Sequence, residues 1–91
     1  MATHTSDIPY VLDEPNVPFP TPLAADQESL ATAMRTAWAN FAATGNPSTS
    51  DVRWPRYDTA ASGRVLSLVT PEPQVQGGFE PRHHCSFWAA G

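Results

Sequence analysis

The sequence predicts a mixed α/β chain with an incomplete sheet: one long amphipathic helix, one or two short strands, and extended proline-rich connectors. Three observations predict this. Apolar residues recur at helical spacing between residues 26 and 45, a single β-branched run follows Gly63, and 10 Pro are spread through the 91 residues. Surface scaling for a 9.8 kDa chain gives ~5,200 Å² exposed when folded against ~14,000 Å² unfolded, so a self-contained domain would bury roughly 64%. Apolar residues make up 41%, which is enough for some core and argues against a disordered tail. The helix and strand together do not close a sheet, because isolated two-stranded pieces are marginal in water.

The first segment ends in Ile8-Pro9-Tyr10-Val11-Leu12, a short apolar patch after the polar Thr5-Ser6-Asp7. Pro9 either opens a helical turn or sits at an edge, and the pattern fits both. From Asp13 to Pro22, prolines at 15, 18, 20 and 22 remove amide donors and fix φ, so an extended connector is expected, with Val17 and Phe19 facing an apolar surface.

The clearest element comes next. Asp26 is the expected N-cap, and Glu28 places a carboxylate in the first turn, where it suits the helix dipole. Leu30, Ala33, Met34, Ala37, Trp38, Phe41 and Ala42 then recur in steps of three and four, and Gly45 followed by Pro47 supplies the stop. Roughly 18 residues make about five turns, and their stripe carries two large aromatics that need a surface to pack on.

Asn46 to Asp51 reads as a loop, and Trp54-Pro55 with Tyr57 as an irregular turn anchored by aromatics. Arg64 to Val69 is the best strand by β-branched content, ended by Pro71 and Pro73; Gln74-Val75-Gln76 is a second short extended piece before Gly77-Gly78. Cys85-Ser86-Phe87-Trp88 forms a compact aromatic terminus. There is no internal repeat.

Charge excludes one class of partner. Net charge is -4 and the five basic residues are all Arg, scattered rather than clustered, so no nucleic-acid footprint exists. No apolar run approaches the ~20 residues that span a bilayer. Residues 1–14 lack the basic and then apolar pattern of a signal peptide. A single Cys builds no internal disulfide.

No G-x-S-x-G elbow, P-loop, G-x-G-x-x-G or Cys pair is present. His83-His84-Cys85 is adjacent rather than spaced, which is poor geometry for converging on one ion, so no metal or other cofactor is expected. A Cys85–His4 nucleophile pair needs proximity that the sequence does not impose, and a buried inert thiol is the commoner state. His4 with Asp7 three residues on is, taken alone, a polar pair near a terminus.

His4 gains meaning from its company. The run Ala2-Thr3-His4-Thr5-Ser6-Asp7-Ile8-Pro9-Tyr10-Val11 resembles the catalytic-histidine segment of type B carboxylesterases, the cholinesterase-like branch of the α/β-hydrolases. Met34 to Pro47 is similar to that family's late helix, a W-x-x-F-A-x-T-G-x-P pattern; Trp54-Pro55-Arg56-Tyr57 is similar to its W-P-x-Y element, Val65-Leu66-Ser67-Leu68 to the strand that follows, and Cys85-Ser86-Phe87-Trp88 to its C-x-F-W terminus. Each is weak alone. Five in order across nearly the whole chain are specific.

The resemblance implies that residues 1–91 are the C-terminal end of a type B carboxylesterase domain and of an α/β-hydrolase fold. In that fold the triad runs in chain order Ser, then Asp or Glu, then His, so it implies His4 as the general base, with nucleophile, acid and oxyanion-hole loop on residues upstream of Met1. The implied partners are that missing N-terminal portion and a small-molecule carboxylic ester; any export signal would belong to the parent's N-terminus, which leaves the compartment open. Asp7 matches an acidic position that orients the loop rather than the triad acid, and a helix N-cap or turn role for it is equally open. Thr5 stands where many relatives have Gly. Trp38, Phe41, Trp54, Tyr57, Phe87 and Trp88 read as packing against a sheet supplied by the missing part, and Cys85 matches a cysteine that pairs upstream in some relatives. The isolated chain is expected to be inactive. The alternatives are a non-catalytic interaction segment derived from the same fold, and a Cys85/His4 thiol enzyme.

Overall fold

A computed structural model of the chain describes residues 3–13, 22–58 and 63–91. Ile8–Leu12 forms helix α1, which resolves the two options for Pro9 in favour of a helical turn. Proline is tolerated there because the first amides of a helix have no intrahelical acceptor. Pro9 is buried, and Asp13 ends the helix in the left-handed region at φ 55°. The connector expected from Asp13 to Pro22, with Val17 and Phe19, lies outside the described residues from 14 to 21.

Helix α2 runs from Ala25 to Thr44. Its start corrects the sequence reading: the N-cap is Ala24, not Asp26. Ala24 has no side-chain acceptor to offer; instead the Gln27 carboxamide reaches back and accepts the Ala24 amide at 2.8 Å. Asp26 sits inside the first turn and accepts the Gln27 amide at 3.0 Å, so its charge still faces the positive end of the helix. Gly45 ends α2 at φ 77° with its amide donating to the Phe41 carbonyl at 2.7 Å. A left-handed residue there favours glycine, which has no Cβ to clash.

The buried line of α2 falls on the expected face but covers only part of it. Leu30, Ala31, Met34 and Ala37 are buried, while Trp38 is 43% and Phe41 56% exposed. Helix α1 packs against α2. The two aromatics lie on that same face of α2, four and seven residues on from Met34, and the chain covers them only in part.

Trp38 is not unpartnered. Its ring meets Trp54 edge to face, with centroids 5.8 Å apart and planes at 63°, a favoured aromatic geometry. Asn40, two residues beyond Trp38, ties down the loop that leads from α2 to Trp54. Its amide donates to the Asn46 carbonyl at 3.0 Å and to the Ser48 carbonyl. The Ser48 hydroxyl accepts the Trp54 amide at 3.0 Å. The loop and the aromatic turn are thus fastened onto α2 by named bonds.

Strands β1 (Val65–Ser67) and β2 (Gln74–Gln76) pair antiparallel, with Val65 opposite Gln76, Leu66 opposite Val75 and Ser67 opposite Gln74. β1 is shorter than the expected Arg64–Val69 because the Val69 amide turns back to the Ser67 carbonyl at 3.1 Å, leaving the ladder. The compact terminus expected at Cys85–Trp88 is helix α4 (Cys85–Ala89), and a further short helix, α3 (Phe79–Arg82), precedes it. α3 follows Gly78 at φ 69°, and Arg82 folds back onto that turn, its Nε donating to the Gly78 carbonyl at 3.0 Å. Phe87 and Trp88 contact each other edge to face at 5.1 Å yet remain 71% and 74% exposed.

The molecule exposes 6775 Å², against the ~5,200 Å² expected of a folded chain this size. Its radius of gyration is 14.9 Å, where about 12 Å is usual for 91 residues. Much of the apolar surface is therefore left uncovered by the chain itself. No helix among the described residues is long and apolar enough to cross a membrane.

Candidate functional site

His4 lies in a turn that leads into α1. The Ser6 amide donates to the Thr3 carbonyl and the Ile8 amide to the Thr5 carbonyl, each at 3.2 Å. The Tyr10 and Val11 amides both donate to the Asp7 carbonyl at 3.0 Å. These bonds fix the backbone on both sides of His4, whose imidazole is exposed and makes no hydrogen bond among the described residues.

Thr5 has a backbone conformation that suits glycine. Its φ is 68°, a region where a β-branched residue is a true outlier costing about 1–2 kcal/mol. Its hydroxyl donates to the His4 carbonyl at 2.5 Å, which offsets part of that cost and ties the strained residue to its neighbour. Asp7 occupies the N-cap position of α1, but its carboxylate is exposed and makes no capping bond. His4 and Asp7 therefore share one turn without any hydrogen bond between their side chains.

The turn borders a groove of about 1010 Å³ that runs between α1, the first half of α2 and the segment after β1. Asp7 and Tyr10 form one wall, Leu30 and Met34 the floor, and Leu68 and Val69 the opposite wall. Its lining is mostly apolar, and it opens widely to solvent.

On the far wall of α1, Arg35 of α2 donates from Nη1 to the Tyr10 carbonyl at 3.2 Å and lies 3.3 Å from the Asp13 carboxylate. Arg35 lies outside the apolar stripe read from the sequence, and nothing in that pattern signals this contact. Its acceptor is a backbone carbonyl 25 residues away, which no residue type announces.

The C-terminal candidates are arranged differently. His83 stacks on Phe79 with centroids 4.0 Å apart, and His84 precedes α4 in the left-handed region at φ 53°. Cys85 is a free, half-buried thiol. Nearby, the Tyr57 hydroxyl donates to the Glu80 carboxylate. That hydrogen bond, with lesser contributions from desolvation and from the charges of Glu80 and Cys85, pushes the Tyr57 phenol above its usual 10.0. The Tyr57–Glu80 pair is a second contact the sequence did not suggest. Among the described residues no group of three or more His, Cys, Asp or Glu is placed to hold a metal ion, and no hydrogen bond or ring contact joins His4 to Cys85.

Comparison with known proteins accounts for nearly all of the sequence. The carboxylesterase family matches residues 1–88. Two solved structures superpose on the chain: a thermophilic PNB esterase, with TM-score 0.73 and 30% identity, and another PNB esterase structure, with TM-score 0.72 and 27% identity. Each match covers 90% of this chain and 17% of the esterase. The chain thus spans about a sixth of the length of the proteins it resembles. No curated protein matches it.

Proposed function

Because this chain belongs to the carboxylesterase family, we propose that it supplies His4 as the catalytic histidine of a carboxylic ester hydrolase. A serine nucleophile, its acid and the oxyanion hole would come from polypeptide outside these 91 residues, which contain no G-x-S-x-G elbow. The observation that carries this reading is the exposed His4 imidazole, held in a hydrogen-bonded turn beside an open groove.

In this reading the serine oxygen attacks the ester carbonyl as His4 takes its proton. The tetrahedral intermediate collapses to an acyl-serine, and His4 returns the proton to the departing alcohol. Water then attacks the acyl-serine, again giving its proton to His4, and the serine regains that proton as the acid leaves. Asp7 orients the turn: its carbonyl accepts two amides of α1, and its carboxylate makes no bond that would mark it as the triad acid. The groove receives the remainder of the hydrolase fold, covering Leu68 and Val69. No cofactor takes part.

The test is reconstitution. The chain is joined to the thermophilic PNB esterase in place of its matching segment, and turnover of a chromogenic carboxylic ester is measured. The joined protein is expected to turn over ester, and His4→Ala to reduce kcat by more than about a thousandfold. The 91-residue chain alone is expected to show no His4-dependent turnover, since it lacks the oxyanion donors, each worth ~10²–10³ in rate. Activity that persists in the joined His4→Ala protein sinks the reading. A second reading, a non-catalytic interaction segment, draws on the exposure of Trp38, Phe41, Phe87 and Trp88. It predicts association with the rest of the fold and no His4-dependent turnover.

A further inference from the structure

The geometry points to Arg35 as a positioning residue for His4, acting through α1; as a statement about catalysis this rests on the reading of His4 given above. α1 has five residues, too few for a helix to persist on its own. Its last carbonyls have no intrahelical donors. The Arg35 guanidinium supplies one to Tyr10 at 3.2 Å and places its charge 3.3 Å from Asp13, the residue that ends the helix.

From that anchor an unbroken set of backbone bonds leads to the histidine. Tyr10 and Val11 donate to Asp7, Ile8 donates to Thr5, and Ser6 donates to Thr3. Thr5, strained at φ 68°, sits at the end of this series. A strained conformation persists only where its surroundings over-determine it, and the clamp at the other end of α1 provides that constraint. Buried Pro9 fixes where α1 rests on α2; Arg35 fixes its end and therefore its orientation.

The two contacts of Arg35 differ in weight. Asp13 is 74% exposed, and exposed ion pairs contribute little. The bond to the Tyr10 carbonyl is partly buried and carries most of the hold. Both contacts come from one nitrogen, Nη1. Arginine suits the position by the reach and fixed plane of its guanidinium, whereas a lysine ammonium is a more strongly hydrated point charge on a flexible stem.

The experiment uses the full 91-residue chain, with amide hydrogen exchange and histidine imidazole signals read by NMR. In Arg35→Ala, exchange at Ile8, Tyr10 and Val11 is expected to rise at least tenfold. The His4 signal moves to its unfolded position, while His83 and His84 stay in place. Arg35→Lys recovers part of the effect, leaving about a threefold rise confined to α1, and Asp13→Asn gives less than a threefold rise. Unchanged exchange in Arg35→Ala overturns the proposal, as do three imidazoles moving together and a wild-type α1 with no protection at all. If Arg35→Ala loses α2 altogether, Arg35→Lys decides: it keeps the aliphatic stem, and unchanged α1 exchange there overturns the clamp. These readouts need no ester turnover. A joined esterase that stays active with His4→Ala removes the catalytic reading and leaves the clamp standing; an unmoved His4 signal does the reverse.

Discussion

The two ends of this chain are ordered by different means. Around His4, order is internal: α1 packs on α2, the buried Leu30, Ala31, Met34 and Ala37 lie within α2, and Arg35 closes the end of α1. From Gly63 onward the elements are short, and no residue of β1, β2, α3 or α4 is buried. Phe87 and Trp88 stand in solvent, and what holds the region is polar: the Tyr57–Glu80 bond and the fold-back of Arg82. A chain that builds one side around its own apolar residues and leaves the other side's aromatics outward divides its burial between itself and a surface it does not contain.

Three measurements sharpen or break that contrast. The largest effect is expected from Leu30→Ala. Removing a buried leucine from so small an apolar cluster costs about 3 kcal/mol, a large part of any stability this chain has. Far-UV circular dichroism should show α2 losing helix content and α1 losing its support. Retained helicity would mean that α2 does not depend on the interior described for it.

A smaller effect is expected from Tyr57→Phe, and it depends on pH. Tyr57 titrates above its usual 10.0 in the folded chain because its proton is held by Glu80. The bond therefore contributes stability below the unfolded value near 10 and loses it as pH rises through the higher folded value. Wild type should show an alkaline loss of stability that Tyr57→Phe lacks. A melting series from pH 8 to 12 that superposes for the two proteins would remove this bond from the account of the C-terminal region.

The smallest effect on the chain alone is expected from Phe87→Ala combined with Trp88→Ala. Exposed residues of this kind change stability by at most about 0.5 kcal/mol. In the joined esterase the same pair should lower the melting temperature measurably, because there the aromatics have something to cover them. Equal effects in both settings would erase the distinction between the two ends.

How much of this was legible in the sequence follows the same division. α2 was readable from its three- and four-residue steps and from Gly45, since periodicity and a left-handed stop are local properties. How much of its apolar face the chain covers was not. Leu30, Met34 and Ala37 are buried while Trp38 and Phe41, on the same face, stay exposed, and periodicity does not say which part of a stripe finds its partner within the chain. The cap was misassigned for a related reason: Asp26 has the right side chain, but Gln27 performs the bond from inside the helix. The extended pieces at 65–67 and 74–76 were visible, but their pairing was not. α3 was invisible, with Pro81 within it and two glycines before it.

The site divides likewise. His4 stood out only through the family pattern spread across the chain, because a histidine near a terminus carries no local signal. The expectation of glycine at Thr5 became intelligible once its φ of 68° was known. Arg35 and the Tyr57–Glu80 pair were beyond reach, since each joins residues at least 23 positions apart and neither partner's type requires the other.

The indoles give the chain a built-in optical readout. Trp38 and Trp54 share one edge-to-face contact while Trp88 stands 74% in water, so Trp88 dominates the red side of the fluorescence emission. Docking against a hydrolase sheet would shift Trp88 emission toward the blue and leave the Trp38–Trp54 pair less changed. Assembly of the two parts can therefore be followed in real time without a dye, a substrate or any turnover.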